Sequence, residues 1–180
     1  MILAGNALAR AKAQVRLAFF SLSLAMTLQI GDLAPDFTLP TQDDTSLTLS
    51  SFIGQRVVIY FYPKDQTPGC TKEACNFRDR WEVFAANQIK VLGISKDGAL
   101  SHLKFIQKYD LPYTLLTDAE PCPVATKYES YGLKKFMGRE YMGMMRHTFV
   151  IDTQGKIEAI YLKVKADSMA NQILTDLGLD

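Results

Sequence analysis

The amino-acid sequence predicts an α/β fold with a central mixed sheet flanked by helices. Strand-like apolar runs alternate with helix-like stretches over most of the chain, which is typical of a sheet covered by helices. Near the end, two strand-like segments flank a turn at residues 153–155, so the predicted sheet contains antiparallel as well as parallel neighbours. The 180 residues suffice for one domain with a substantial core.

Apolar runs bounded by turn residues predict the strands. Some runs alternate apolar and polar side chains, whereas others are continuous and indicate burial on both faces. In chain order, the predicted strands are residues 34–39, 46–49, 57–62, 90–95, 114–116, 147–152 and 156–162. Only the polar turn 41–45 separates the first two, so we expect a hairpin at the N-terminal end of the domain.

Apolar residues at spacings of three and four predict the helices. The clearest case is the series Ala74, Phe77, Trp81 and Phe84, which predicts one helix over residues 70–86. In chain order, the predicted helices are residues 70–86, 99–109, 124–131 and 168–177. The last of them closes the chain after the predicted C-terminal hairpin.

Composition and charge narrow the class of protein. The formal net charge is +1 and we find no basic stripe with interleaved aromatic residues, so we expect no nucleic-acid partner. Three cysteines are too few for a disulfide-stabilised scaffold, and their odd number leaves one thiol over. This pattern fits a compartment where thiols are kept reduced, and we expect the cytoplasm.

Residues 1–25 differ in character from the rest of the chain. No acidic residue precedes Asp32, and three basic residues come before the apolar run 17–25. One interpretation is that translation starts at Met26, and a second is a targeting leader, which would mean export or an organelle. A third is an ordered, functional helix. We expect residues 1–25 to lie outside the fold and residues 26–180 to form the domain.

Cys70 lies where a strand leads into a helix. The run 57–62 ends at Pro63, and the segment Thr67-Pro68-Gly69-Cys70 precedes the helical pattern. A helix N-terminus favours an anion, and cysteine reacts as the thiolate, whose formation such sites promote. The alternative is that the cysteines are simply small buried hydrophobic residues. Because Pro68 and Gly69 place Cys70 at an element boundary, we favour the reactive thiol.

Cys75 follows Cys70 by five residues. On an intact helix these residues are separated by about 7.5 Å of rise, whereas a disulfide needs Cα atoms within about 6.8 Å. If the two cysteines form a disulfide, the first turns of the helix must therefore unwind. The spacing also argues against a general thiol–disulfide oxidoreductase, which needs a close pair such as C-x-x-C.

Several motifs together resemble one known family. They are GDLAPDF at residues 31–37, YPKDQTPGCT at residues 62–71, and Cys75, followed by KKFMGREYMG at residues 134–143 and RHTFVID at residues 146–152. The chain from about Met26 onward resembles a peroxiredoxin of the bacterioferritin-comigratory or Q type. That resemblance implies a thioredoxin-like fold and thiol-dependent reduction of hydrogen peroxide and organic hydroperoxides.

The resemblance also implies a role for each of five residues. Cys70 would be the peroxidatic nucleophile, and Cys75 the resolving cysteine that closes an intramolecular disulfide. Thr67 would offer its hydroxyl to the thiolate or the peroxide, although a simple helix cap is an alternative. Pro63 would screen the site from water. Arg146, distant in sequence, would stabilise the thiolate and polarise the peroxide.

The partners implied by the resemblance are a hydroperoxide and thioredoxin or a similar dithiol protein. We expect a monomer without cofactor, metal or stable membrane association. A solely non-enzymatic role, such as redox sensing or chaperone-like binding, is the remaining rival. The combination of Thr67, Cys70 and Arg146 argues against it.

Other candidate residues receive weaker interpretations. Cys122 lies between two prolines and is interpreted as incidental rather than regulatory. His102 and His147 are single histidines without a paired ligand, so neither indicates a metal. Glu73 is assigned no catalytic role, because a carboxylate in a first helical turn is favoured in any case. The methionines of residues 137–145 would form a docking surface or pack beside the active site.

Overall fold

The computed structural model describes residues 28–136 and 138–179. The expectation about residues 1–25 lies outside the described residues. Within these ranges, no helix is both long and apolar enough to cross a membrane.

Nine strands and five helices follow one another in the described part of the chain. The strands are β1 (Thr38–Pro40), β2 (Ser46–Thr48), β3 (Val57–Phe61), β4 (Lys90–Ser95), β5 (Thr114–Thr117), β6 (Tyr131–Phe136), β7 (Arg139–Met144), β8 (Thr148–Ile151) and β9 (Ile157–Tyr161). The helices are α1 (Pro68–Asp79), α2 (Trp81–Ala86), α3 (Ala99–Tyr109), α4 (Pro123–Lys127) and α5 (Met169–Asp176). A short 3₁₀ helix, Leu49–Phe52, follows β2.

The central sheet has five strands in the order β5-β4-β3-β8-β9. Strands β3, β4 and β5 are parallel, whereas β8 pairs antiparallel with β3 and β9 pairs antiparallel with β8. The predicted α/β class with a mixed sheet is therefore confirmed. Strand β3 is the central strand of this sheet, and all five of its residues are buried. The loop that follows its carboxyl end therefore starts from the centre of the molecule.

The side chains of β3 divide the core into two layers. Val58 and Tyr60 point to a layer formed largely by α1, α2, α3 and α5. Ile59 and Phe61 point to the opposite layer, which contains α4 and the N-terminal hairpin. Successive side chains of a strand face opposite sides, so a continuous apolar run is what a sheet covered on both faces requires.

Gly93 of β4 shows how closely the first layer is packed. It pairs in register with Tyr60, and a Cβ at this position would lie 2.7 Å from the Tyr60 ring and 2.6 Å from Leu115. Only glycine leaves room for the ring there. The Tyr60 ring also stacks on Phe77 of α1, with centroids 4.8 Å apart, so this packing supports the helix that contains Cys70.

The predicted elements match the structure to within one residue at each end, with four larger differences. The predicted helix 70–86 begins at Pro68 and is divided at Arg80, whose φ of −106° and ψ of 6° are not helical. Of the predicted strand 34–39, only its last two residues belong to β1, which extends to Pro40. The predicted helix 124–131 ends at Lys127, because Glu129 adopts a left-handed φ of 52°. The hairpin of β6 and β7 was not predicted at all.

Candidate active site

Cys70 is the third residue of α1, directly beyond the loop that leaves the central strand. Its side chain is buried, with 1% of the residue exposed. The helix begins with Pro68, which is suited to a first helical position because its missing N–H has no partner to lose there. The N-terminal end of α1 therefore presents its unpaired N–H groups and partial positive charge near the thiol.

Arg146 reaches Cys70 from the segment that leads into β8, the strand beside β3. It lies between β7 and β8, and the backbone N–H of Phe61 donates to the carbonyl of His147 at 2.9 Å. This pairing brings together two residues that are 76 positions apart, and Arg146 Nη2 lies 3.5 Å from Cys70 Sγ. A Cβ on Gly69 would lie 3.0 Å from Arg146 Nη2, so a glycine before the cysteine leaves space for the guanidinium.

Glu73 completes the site, although the sequence analysis assigned it no catalytic role. It lies three residues after Cys70 on α1, and its carboxylate accepts a 2.5 Å hydrogen bond from Arg146 Nη1. The side chain is fully buried. Burial raises the pKa of Glu73 to about 7, and the charge and hydrogen bond of Arg146 limit that rise. The spacing of three on one helix is the signal that could have placed Glu73 beside Cys70.

Thr67 occupies the residue before α1, but its hydroxyl does not cap the helix. Its Oγ1 donates to the carbonyl of Lys64 at 3.1 Å, and it makes no side-chain bond to a helix N–H. The capping interpretation is therefore wrong. The backbone carbonyl of Thr67 accepts the first helical bond, from Thr71 N at 2.8 Å.

Pro63 begins the loop that connects β3 to α1, directly after the buried Tyr62. It is partly buried. Having no backbone N–H, it leaves no donor that water must satisfy at this point. Its expected role in screening the site from water stays a prediction.

Cys75 lies one and a half turns after Cys70 on the same intact helix. All three cysteines are free thiols, so the structure corresponds to the reduced protein. Cys75 is partly exposed, and partial burial raises the pKa of its thiol. In this state the resolving candidate is protonated and separated from Cys70 by the rise of the helix.

Cys122 and His147 take no direct part in this arrangement of charges. Cys122 is fully buried in the core layer on the opposite side of the sheet from Cys70, and burial raises its pKa to about 11. His147 is half-buried, and its Nδ1 lies 3.2 Å from Ser130 Oγ. Burial lowers the pKa of His147, which favours the neutral ring.

Met144 is buried in the core, whereas Met142 is largely exposed. Met144 packs in the layer on the opposite face of the sheet from Cys70, so it does not pack beside the thiol, and a docking role for Met142 stays a prediction. Met137 lies outside the described residues.

A buried thiol at the start of a helix, faced by a guanidinium from the segment that leads into β8, is the site of a thiolate enzyme built on a mixed α/β sheet. A model of the AhpC/TSA family matches residues 30–160. The chain belongs to the AhpC/TSA family.

Relatives and solved structures point to one type within this family. The peroxiredoxin Bcp of Bacillus subtilis is 44% identical over 151 residues, covering 83% of this chain and 96% of that protein. The peroxiredoxin Bcp of Escherichia coli is 42% identical over 147 residues, with coverages of 82% and 94%.

Among solved structures, the bacterioferritin comigratory protein of Xanthomonas campestris, which has alkyl peroxide reduction activity, matches with a TM-score of 0.76. The two are 30% identical over 84% of this chain and 96% of that chain. Peroxidoxin BcpB of Mycobacterium tuberculosis matches with a TM-score of 0.73 at 37% identity, over 84% and 97%.

These likenesses confirm the resemblance to the bacterioferritin-comigratory or Q-type peroxiredoxins and the predicted thioredoxin-like fold. The protein is a thiol-dependent peroxidase that acts on hydroperoxides and takes its electrons from a thiol reductant.

Proposed function

We propose that this protein is a two-cysteine peroxidase in which Cys70 attacks the hydroperoxide and Cys75 resolves the product within the same chain. The observation that best supports this assignment is the 3.5 Å contact between Cys70 Sγ and Arg146 Nη2 at the start of α1. A permanently charged guanidinium stabilises a thiolate at any physiological pH. Hydrogen peroxide and organic hydroperoxides are the substrates.

In the first step, the Cys70 thiolate attacks the terminal peroxide oxygen. A sulfur–oxygen bond forms, the oxygen–oxygen bond breaks, and the second oxygen leaves as water or an alcohol after taking up a proton. Arg146 offsets the negative charge that moves onto the leaving oxygen. The Thr67 hydroxyl, whose proton is donated to Lys64 O, accepts a hydrogen bond from the peroxide, and Pro63 limits the access of water. Cys70 becomes a sulfenic acid.

In the second step, Cys75 attacks the sulfur of that sulfenic acid. The disulfide forms, and the hydroxyl of the sulfenic acid leaves as water. The rise of about 7.5 Å between the two residues on an intact helix exceeds the disulfide limit of about 6.8 Å. The start of α1 therefore unwinds before this step.

In the third step, a dithiol protein such as thioredoxin reduces the disulfide by two electrons and restores both thiols. Because both cysteines belong to one chain, the cycle needs no second copy, and we propose a monomer. A disulfide that forms only transiently suits the cytoplasm.

Peroxide consumption by the purified protein, coupled to thioredoxin and its reductase, tests this assignment. We expect Cys70→Ser to abolish turnover. We expect Cys75→Ser to form a sulfenic acid, seen with a sulfenic-acid probe, but to recycle poorly. Cys122→Ser is the matched control and keeps turnover, because Cys122 lies on the other side of the sheet. Full thioredoxin-linked turnover in Cys75→Ser would contradict intramolecular resolution.

A further inference from the structure

The loop between β3 and α1 contains a buried carboxylate and an unfavourable backbone conformation. Asp65 is 5% exposed, and the next residue, Gln66, has a φ of 57°. A left-handed conformation is uncommon for a residue other than glycine and persists only where the surroundings hold it. Since this loop determines where Thr67 and Cys70 lie, the groups that hold Asp65 also set the geometry of the site.

Three side chains donate hydrogen bonds to the Asp65 carboxylate. Tyr62 Oη donates at 2.7 Å and Ser101 Oγ at 2.7 Å. His102 Nδ1 lies 3.0 Å from one carboxylate oxygen and 3.2 Å from the other. Burial by itself raises the pKa of Asp65, but these bonds and the charge of His102 outweigh burial and lower it. The carboxylate is therefore held ionised.

The backbone of the same loop is held from a second direction. The N–H of Asp65 donates to Asp97 Oδ2 at 2.9 Å, and Ser95 Oγ donates to the same oxygen at 2.9 Å. Asp97 lies in the connection between β4 and α3. Asp65 is thus joined to this corner of the fold by both its side chain and its backbone.

His102 is the least expected member of this arrangement. It belongs to the first turns of α3 and is completely buried. Within the described ranges, its Nε2 has no hydrogen-bond partner, so Nδ1 makes the polar contacts of the ring. An unpaired nitrogen on a buried ring costs free energy, so the contacts of Nδ1 are the polar interactions that offset burial of His102. The ring faces the titratable side chains of Asp65 and Tyr62, the latter with its oxygen 3.4 Å from Nδ1.

We propose that His102 is a positioning residue for the peroxidase reaction, acting through Asp65 on the loop that presents Thr67 and Cys70. This inference rests on the proposed role of Cys70. Arg146 comes from a different part of the chain, so a shift of the loop changes the distance between thiol and guanidinium. A displacement of about 1 Å at a reacting group lowers rates by about 10²-fold.

The mechanism does not require His102 to change its charge. Nδ1–H donates to a carboxylate in both the neutral and the protonated ring. Removing the donor therefore releases the loop whatever the charge of the ring, and we expect the maximal rate to fall. A direct electrostatic effect of His102 on Cys70 would instead depend on the charge of the ring.

Two variants of His102 test the proposal. His102→Asn keeps an N–H donor close to the position of Nδ1, whereas His102→Leu removes it. The measurement is the second-order rate constant for oxidation of Cys70 by hydrogen peroxide, followed by stopped-flow fluorescence across pH. We expect the maximal rate of His102→Leu to be about 10- to 100-fold lower, and that of His102→Asn to be close to the wild type. Equal rates in all three proteins, or equal losses in both variants, would overturn the proposal.

A matched control separates positioning from a general loss of stability. Ile106→Ala removes a partly buried side chain from the same helix without touching Asp65, so it should lower the melting temperature and leave the rate constant unchanged. If His102→Leu does not fold, Tyr62→Phe removes a different donor to Asp65 and should slow the same step. An unchanged rate in Tyr62→Phe would then count against the proposal.

A readout that does not depend on activity keeps the two proposals distinguishable. Amide hydrogen exchange at Asp65 should accelerate in His102→Leu and not in His102→Asn. If the wild type showed no turnover dependent on Cys70, the proposed function would fail. The exchange data would still show whether His102 holds the loop. Unchanged exchange together with unchanged rates would refute the positioning role.

Discussion

Arg146 divides its guanidinium between a thiol and a carboxylate. Nη2 faces Cys70, whereas Nη1 binds Glu73, which is fully buried. The carboxylate orients the guanidinium, but its negative charge also reduces the field that Arg146 exerts on the thiolate. Because the pKa of Glu73 is raised to about 7, the balance between these two effects depends on pH near neutrality.

Replacing Glu73 by Gln should change how stability depends on pH. The pKa of Glu73 is raised from its ordinary 4.5 to about 7 in the folded protein, so the folded state retains a proton that the unfolded state releases. Its contribution to stability is therefore fully present below pH 4.5 and is lost as pH rises through 7. Each pKa unit corresponds to about 1.4 kcal/mol.

Urea unfolding at pH 5 and pH 8 measures this effect. We expect the free energy of unfolding of Glu73→Gln, relative to the wild type, to increase between these two values. Glu82→Gln changes an exposed carboxylate on α2 and serves as the control. The same difference between Glu73→Gln and the wild type at both pH values would contradict the prediction.

Replacing Arg146 by Ala should slow oxidation of Cys70 far more than disulfide formation. Removing a group that stabilises the charge developing in the transition state typically lowers a rate by about 10²- to 10³-fold. Arg146→Lys keeps the charge but loses the planar fork, so we expect an intermediate rate. Stopped-flow fluorescence of Trp81, the single tryptophan, separates the two steps if its signal follows oxidation.

Arg56→Ala is the matched control for Arg146, because Arg56 pairs with Glu158 at the opposite end of β3. Its rates should equal those of the wild type. If Cys70 were oxidised equally fast in Arg146→Ala and in the wild type, Arg146 would have no role in that step.

At the scale of single residues, the sequence predicted those site residues that belong to contiguous motifs. Cys70 is recognisable from its place between strand and helix, and the structure brings Arg146 to it as the motif implied. The contacts of Glu73 and His102 could not be predicted, because each meets a partner supplied by a distant segment. The sequence predicted a helix starting at Cys70, which would put Glu73 in its first turn, but the helix starts at Pro68 and Glu73 lies in the second turn. A carboxylate near a helix start and a histidine on a helix have ordinary explanations until their partners are known.

At the scale of elements, α1 is bonded to the rest of the fold at several points from Ala74 onward. Its residues there make hydrogen bonds to three other parts of the fold, which restrains the carboxyl-terminal part of the helix. The bonds are Tyr113 Oη to Ala74 O at 2.9 Å, Ala170 N to Asn76 Oδ1 at 2.8 Å, and Arg78 Nη1 to Tyr109 O at 2.8 Å. Unwinding of the first turns therefore meets increasing resistance along the helix.

Oxidation should unwind the start of α1 and leave the sheet intact. The reduced protein should protect the amides of residues 71–77 from hydrogen exchange, and the disulfide form should lose that protection. Strand β4 should stay protected in both states. The oxidised protein should also be less stable, because the small loop closed by the disulfide offsets only part of the lost helix bonds and packing. Matching exchange patterns in the two redox states would refute the unwinding step.

The elements predicted from the sequence are those with buried faces. Helix α3 and strand β4 occupy the predicted residues because burial produces a regular apolar period. The hairpin of β6 and β7 was missed since most residues of β7 are exposed, and an exposed ribbon shows no such period. Phe77 and Phe84 lie on either side of the break at Arg80, yet both pack in the same core layer. The spacing of apolar residues across the break is therefore the same as in a single continuous helix.

At the scale of the whole molecule, the described residues form a central five-stranded sheet with a core layer on each face, together with two two-stranded hairpins. We predict that a chain beginning at Met26 keeps the melting temperature and the peroxidase rate of the full chain. The motifs start only near Gly31, and residues 1–25 contain no acidic residue and place basic residues before an apolar run. Calorimetry and peroxide consumption on both chains test this, and a large loss of either would show that residues 1–25 contribute to the fold.

The burial of Cys70 affects how the reactivity of its thiol is measured. Only 1% of the residue is exposed, whereas Cys75 is partly accessible. A hydrogen peroxide molecule is little larger than water, but the aromatic disulfides commonly used to titrate thiols are many times bulkier. Such reagents would modify Cys75 first and rank the nucleophile as the less reactive thiol. In this protein, the order of labelling reports the size of the reagent rather than the chemistry of the sulfur.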